Sequence, residues 1–183
     1  MLSFPLDNGD SNLVFSDAVL AHFKKHRQKR LRDTEAGGQL FARLTRFEVF
    51  VEVATGPRPE DKRARRSYIP NRECERREIK NMFDQGLHFV GDWHTHPERI
   101  AHPSSIDEHT IADCAHKSSH ELNGFVLVVV GTGTLPGCLS VSIHLRPDKK
   151  RDGEQPTSFI ARLRSRSHEL IGRTLSVGKK FSI

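Results

Sequence analysis

The sequence predicts an α/β (α+β) domain built on a mixed β-sheet with helices on both sides. Three observations carry this. Strand-type and helix-type segments alternate along a chain of 183 residues, a length that suits one hydrophobic core. The run Phe125-Val126-Leu127-Val128-Val129-Val130 is continuously apolar, the mark of a central strand covered on both faces. Residues 138–145 alternate apolar and polar side chains, which fits a strand with one solvated face.

Taken in order, Asn12-Leu13-Val14-Phe15 predicts a short strand. Ser16 is placed to cap a helix running to about Gln28, with Asp17 in its first turn. The end of that helix is basic (Lys24, Lys25, Arg27, then Lys29, Arg30 and Arg32), which suits either a solvated end complementing the helix dipole or a binding patch. Strands are expected at about 35–44 and 46–54, broken by Thr55-Gly56-Pro57, and residues 58–68 read as a charged, mobile loop. Asn71 caps a helix over about 72–85, whose Cys74, Ile79, Met82 and Phe83 are expected to face inward, with Gly86 as its stop. A strand over 87–96, a helix over 105–119 and a hairpin of strands 124–131 and 138–145 follow. From Pro147 the chain is polar and basic; Phe159, Ile160, Leu163, Leu170 and Ile171 permit one amphipathic helix. The expected organisation is therefore a domain over residues 1–146 and a basic extension over 147–183.

Lys and Arg total 29 against 23 Asp and Glu, a formal net charge of +6 that favours acidic partners. No stretch is long and apolar enough for a membrane helix, and the first residues lack the basic start and apolar stretch of a signal peptide, so no membrane association and a cytoplasmic location are expected. Cys74, Cys114 and Cys138 are far apart and form no Cys-x-x-Cys, so they read as reduced, mostly buried thiols. The segment 58–77 carries Lys62, Arg63, Arg65, Arg66, Arg72, Arg76 and Arg77 but Tyr68 as its one aromatic. A single-strand stacking site is thereby disfavoured. The segment reads as a solvated face, as a dock for an acidic protein with Arg65 and Arg66 as candidate contacts, or, least favoured, as a nucleic-acid contact.

The segment Gly91-Asp92-Trp93-His94-Thr95-His96-Pro97 concentrates the chemistry. Residues two apart in a strand point to the same side, so His94 and His96 present two imidazoles to one point. Zinc binds imidazole nitrogen, and catalytic zinc sites use three protein ligands plus a water. On the helix that follows, Ile106, Thr110, Ile111, Cys114 and Ala115 trace the arc expected to face the core, and Asp107 falls in its middle. A carboxylate facing a core needs a partner, and a metal dication is a sufficient one. Ser104 and Asp107 also have the spacing of a helix capping pair, which is the structural alternative for both.

His94-x-His96, seven residues, Ser104, two residues and Asp107 together resemble the JAMM signature of the JAB/MPN metalloprotease superfamily. Glu35-Ala-Gly-Gly-Gln-Leu resembles its upstream Glu-x-x-Gly-x-Leu, and Trp93 and Pro97 add to the match. The resemblance covers about residues 12–146. It implies a single JAB/MPN-like domain of cytidine-deaminase-like architecture, with one Zn2+ per chain held by His94, His96 and Asp107. A water would fill the fourth position, its pKa lowered by the metal. Glu35 would take a proton from that water and pass it to the leaving amine. Ser104 would donate a hydrogen bond to the developing oxyanion, unless it serves mainly as a cap.

The compact form is most similar to stand-alone bacterial members, the isopeptidases of CBASS antiphage and ubiquitin-like conjugation operons. That implies hydrolysis of the bond between the C-terminus of a conjugated protein, ubiquitin-like or a nucleotidyltransferase, and a target amine. The substrate would be a protein with an extended C-terminal tail. Alternatives are a JAMM hydrolase acting on a sulfur-carrier protein or a peptide, and a nucleic-acid-associated protein resembling the RadC group, whose His-x-His-Pro and Ser-x-x-Asp pattern is similar. Salt-sensitive nucleic-acid binding distinguishes the second alternative. Non-catalytic MPN scaffolds typically lack metal ligands, which this chain retains. Glu98 and His102 are expected at the rim of the site, and His109, Asp113, His116 and His120 on a solvated helix face.

Overall fold

The computed structural model describes residues 1–6, 11–45, 47–117, 124–145 and 175–176. In chain order the elements are β1 (Leu2–Leu6), β2 (Ser11–Phe15), α1 (Asp17–His26), β3 (Gly37–Leu44), β4 (Glu48–Ala54), β5 (Lys62–Ala64), β6 (Ser67–Ile69), α2 (Arg72–Phe83), β7 (His88–Thr95), α3 (Ser105–Lys117), β8 (Gly124–Val130), β9 (Leu139–Leu145) and β10 (Leu175–Ser176). One sheet runs β1-β2-β4-β3-β7-β8-β9-β10, and β5 and β6 form a separate hairpin. β2 with β4 and β7 with β8 are parallel, and the other neighbours are antiparallel, so the sheet is mixed as expected.

Helices cover both faces. The Ser16 hydroxyl caps α1 by accepting from Val19 N at 3.2 Å. Val19 and Phe23, four apart and so on one side of α1, are buried with Phe15, Leu40, Val51, Trp93, Val126, Val128 and Val130. The other face of β8, Phe125, Leu127 and Val129, packs with Ala101, Ile111, Phe89 and Cys114 under α3. Both sides of β8 are thus covered, which is why its sequence shows no polar alternation. The Thr132–Gly137 turn joins β8 and β9 into the expected hairpin, with Val130 opposite Leu139. Between β3 and β7 the register shifts at Leu40/Phe41. There Gly91 has φ +147°, and a Cβ would run into the backbone of Val126, so only glycine fits the bulge that re-aims the end of β7.

Four expectations need correction. β1 was not foreseen, because its Pro5 and polar neighbours break the strand pattern; it pairs along β2 from Leu2–Phe15 to Leu6–Ser11. The segment 58–68 is not a loose loop. Buried Asp61 accepts from Arg58 N at 2.6 Å, Tyr68 Oη at 3.1 Å and Asn71 N at 2.9 Å, and this one carboxylate ties the β5–β6 hairpin together. On α2 the buried residue is Glu75, bonded by Arg72 at 2.8 Å, while Phe83 is exposed and lies edge-on to His88. Cys74, Ile79 and Met82 are half-buried as well, and the ionic part of the inner face has its partners supplied locally, Arg58 for Glu78 and Arg72 for Glu75. On α3 the buried arc is narrower than expected: Ile106 and Thr110 are exposed, whereas Asp107, Ile111 and Cys114 are turned inward, and the described helix ends at Lys117.

The expected helix over Phe159–Ile171 lies outside the described residues, as does the rest of 147–183 apart from β10, which pairs with β9. Cys74, Cys114 and Cys138 are free, and Cys138 alone is fully buried. Among the described residues no helix is long and apolar enough to cross a membrane.

Candidate metal centre

The end of β7 places alternate residues on opposite faces of the sheet. Trp93, fully buried, turns toward α1 and donates from Nε1 to Thr55 O at 2.8 Å. Thr95 turns the same way. His94 turns to the α3 side, and His96, whose N–H bonds Val130 O at 3.0 Å, prolongs the extended chain by one more step. Asp107 arrives in the first turn of α3.

The three side chains converge. His94 Nε2 lies 3.1 Å from His96 Nε2 and 3.4 Å from Asp107 Oδ2, and His96 Nε2 lies 3.5 Å from the same carboxylate oxygen. Three donors placed around one tetrahedral zinc at about 2.0–2.1 Å would be about 3.3 Å apart, so the observed triangle has the dimensions of such a set with the fourth corner open. Two imidazole nitrogens and a carboxylate oxygen are also a donor set zinc accepts. Among the described residues this is the one group of three or more His, Cys, Asp or Glu side chains with ligand atoms gathered in this way.

The charge states suit the same purpose. Burial favours neutral Asp107, but His94 and the hydrogen bonds from Ser104 outweigh it and hold the carboxyl well below the usual carboxylate range. Burial, reinforced by His94, lowers the pKa of His96, so its imidazole is neutral with a lone pair to offer at neutral pH. Ser104 is the cap of α3: its N donates to Asp107 Oδ2 at 2.7 Å, its Oγ to the same oxygen at 2.6 Å, and Asp107 N donates back to Ser104 Oγ at 3.2 Å. The capping alternative is therefore realised, and through the same oxygen that faces the imidazoles.

Glu35 sits just before β3 rather than within it, and is 5% exposed. Burial pushes its carboxyl up to about 7, with the Asp107 and Glu98 charges adding to the rise and His94 and Arg66 opposing it. Its main chain is clamped on two sides. Glu35 N donates to Ala64 O of β5 at 2.8 Å, and Arg63 Nε donates to Glu35 O at 2.5 Å. The next residue, Ala36, exchanges bonds with Thr95: Ala36 N donates to Thr95 Oγ1 at 2.9 Å, and Thr95 N donates to Ala36 O at 2.8 Å. Gly37 lies under the Tyr68 ring, where a Cβ would collide with ring and Trp93 backbone alike.

Glu98 reaches to 3.8 Å from His96 Nδ1 with half its side chain exposed, and His102 is exposed, so both are at the rim as expected. His109 and Asp113 are exposed on α3; the side chain of His116 and all of His120 lie outside the described residues. Arg65 and Arg66 are exposed on the β5–β6 turn.

Three residues escaped the sequence reading. Gln28 and Thr95 form a buried link behind the site. Asp92, two residues before His94, is half-buried, and its Oδ1 is enclosed with no hydrogen-bond partner among the described residues. Burial pushes the Asp92 carboxyl up to about 7, with Glu75 adding to the rise and Arg72 opposing it. The signal for Asp92 was present, since a residue two before His94 in a strand shares its side.

A family model described as prokaryotic homologs of the JAB domain matches residues 17–143. A CD-NTase/cGAS isopeptidase of Pseudomonas aeruginosa (strain BWHPSA011 / Pa011) is 35% identical over 112 residues, covering 58% of this chain and 70% of that protein. A CD-NTase/cGAS isopeptidase of Escherichia coli (strain TW11681) is 29% identical over 105 residues, covering 56% of this chain and 67% of that protein. Among solved structures, protein DSY2949 from Desulfitobacterium hafniense is similar in fold, with a TM-score of 0.53 and 16% identity over 72% of this chain and 83% of that one.

Proposed function

The chain belongs to the prokaryotic JAB-domain family, and from that premise we propose that it is a zinc-dependent isopeptidase. It would release a conjugated protein, such as a CD-NTase or a ubiquitin-like protein, from a target amine in a CBASS-type antiphage setting. The observation that carries the reading is the triangle of His94 Nε2, His96 Nε2 and Asp107 Oδ2 beside the protonatable carboxyl of Glu35. That two bacterial relatives are CD-NTase/cGAS isopeptidases supports the choice of bond.

In this reading His94, His96 and Asp107 hold one Zn2+, which supplies Lewis acidity that polarises the scissile carbonyl and acidifies water. Glu35 handles the proton. Burial raises this carboxyl, to about 7 without a metal, so it can accept a proton from water and return it to the departing amine. The clamp of Ala64 and Thr95 fixes where that carboxyl sits, so the proton transfer needs no rearrangement of the loop. Ser104 turns its hydroxyl from Asp107 to the carbonyl oxygen as negative charge develops there. Residues 1–146 make up the catalytic domain, and 147–183 a basic extension. The free cysteines accord with a reducing, cytoplasmic setting.

The test is a purified conjugate, or a fusion carrying the modifier's tail, incubated with zinc-loaded protein and read by mass spectrometry. A free C-terminal carboxylate on the modifier and an unmodified amine on the target are expected. Conjugates left intact by zinc-loaded protein would favour a sulfur-carrier or peptide substrate.

A further inference from the structure

Between the end of α1 and β5 lies a wide-open surface cavity of about 440 Å³, on which Lys25, Arg32 and Arg63 are exposed. Lys25, Arg27, Arg32 and Arg63 line it against a single carboxylate, Asp33. That carboxylate is already engaged by Arg30 N at 2.8 Å. Among the described residues none of the four cations forms an ion pair with an acidic side chain. Two are held in place by main-chain carbonyls instead: Arg27 donates to Gly133 O, and Arg63 Nε to Glu35 O at 2.5 Å. Among the described residues Arg27 Nε is buried without a partner.

Four cations around one carboxylate leave a local excess of positive charge, whose members repel one another. The neighbouring His26 registers the same field: burial first, then His22, Lys25 and Arg63, drive its pKa down to about 4, so it stays neutral and adds no charge of its own.

We propose that this cavity is a binding site for a compact oligophosphate, whether a free polyphosphate or the phosphate chain of a nucleotide. Guanidinium forks whose positions are already fixed by backbone bonds suit tetrahedral phosphate oxygens. An oligophosphate brings several negative charges in one group, which a concavity of this size holds; a peptide would have to converge several carboxylates in the same space. Among the described residues His26 is the one aromatic ring lining the cavity, so a base has little to stack on and recognition rests on the phosphates. The site is continuous with the centre through Thr34 and Arg63, which flank and bond Glu35, so its occupant would also steady the loop that carries Glu35. The proposal does not depend on the isopeptidase reading.

The experiment is calorimetry of the full-length protein with tripolyphosphate, ATP, GTP and an acidic peptide of matched charge, at constant ionic strength. Tripolyphosphate, ATP and GTP are expected to bind alike and the peptide much more weakly. The double variant Lys25→Glu/Arg32→Glu should bind roughly tenfold or more weakly, because it removes two charge-assisted contacts. The variant Arg76→Glu/Lys80→Glu makes the same change in net charge on α2 and should bind as the parent does. Because zinc chelation by phosphates is indifferent to Lys25 and Arg32, the difference between variants isolates the cavity. Circular dichroism confirms that each variant folds; if Lys25→Glu/Arg32→Glu does not, Arg32→Gln alone serves and should still weaken binding. Equal binding by the cavity variants and the parent, no binding by the parent, or equal affinity for the peptide would overturn the assignment.

Discussion

Thr95 Oγ1 donates to Gln28 Oε1 at 3.2 Å on the buried side of β7 and accepts from Ala36 N at 2.9 Å. Gln28 Nε2 in turn donates to Asp33 O at 3.2 Å and Arg65 O at 2.9 Å. The residue between the two candidate histidine ligands therefore holds both the loop that carries Glu35 and, through Gln28, the hairpin that clamps it. One hydroxyl thus ties the loop of Glu35 to the strand that carries the imidazoles.

Thr95→Val keeps shape and removes that hydroxyl, leaving Ala36 N–H buried without an acceptor. We expect a loss of about 1–3 kcal/mol in chemical denaturation, and turnover roughly tenfold or more lower from misplaced Glu35. Zinc content should be unchanged, and Thr95→Ser should restore turnover. If Thr95→Val matched the parent in kcat, the link would be purely structural.

Metal content follows from the triangle. Elemental analysis should find about one zinc per chain. His94→Ala and Asp107→Ala should each lower occupancy and abolish hydrolysis. Removing zinc with a chelator should lower the Tm, since an ion that binds only the folded chain stabilises it. Full occupancy in the His94→Ala/His96→Ala double variant would sink the assignment.

The central strands, the order of the helices and the grouping of His94, His96 and Asp107 were legible because each depends on local periodicity. His94 and His96 are two apart in a strand, and Asp107 lies on the inward side of α3. The β5–β6 hairpin was not legible, because it rests on Asp61, whose three donors come from positions 58, 68 and 71 and leave no periodic trace. The inner face of α2 misled for a related reason: Glu75 is buried against Arg72 of its own helix and Glu78 half-buried against Arg58, so charge did not signal exposure. Gln28 looked like the frayed end of a basic helix until folding brought Thr95 and Arg65 to it.

Glu35→Gln should keep zinc and substrate affinity while lowering turnover on the order of 10²–10⁴-fold. Its carboxyl lies near 7 in the folded chain against an ordinary value of 4.5, so the metal-free fold binds more protons than the unfolded chain between those values. Metal-free stability should therefore fall as pH rises from about 4.5 to about 7. The Gln variant should lose that part of the slope. Bound zinc favours the ionised carboxylate, so the acid limb of activity should lie below 7. A limb unchanged in position and size by Glu35→Gln would remove Glu35 from the proton transfer.

Asp92 gives a second, separable slope. Its carboxyl is raised from 3.8 to about 7, so it too weakens the fold as pH rises through that window. Asp92→Asn keeps the volume and cannot ionise. Its stability relative to the parent should therefore grow between pH 5 and pH 8 in denaturant titrations, by about 1–3 kcal/mol at most. A constant difference across that range would mean that Asp92 does not titrate there.

Arg65 and Arg66 are neighbours on one exposed turn with different electrostatic reach. Arg66 acts on the Glu35 carboxyl, opposing its rise, whereas Arg65 meets the loop through Leu31 O and offers its own carbonyl to Gln28. If the turn docks the acidic body of a conjugated protein, Arg65→Glu should raise KM at low salt and leave kcat nearly unchanged, because a rim charge acts mainly on encounter. Added salt should then shrink the difference from the parent, as screening weakens the attraction that the variant has lost. Arg66→Glu should do the same and also shift the acid limb of kcat upward, since a carboxylate there makes Glu35 harder to ionise. Steady-state kinetics on one conjugate, over pH and salt, separates the two. Identical pH profiles for Arg65→Glu and Arg66→Glu would show that the turn does not reach the proton-handling group. KM values unmoved by either reversal would place the docking surface elsewhere.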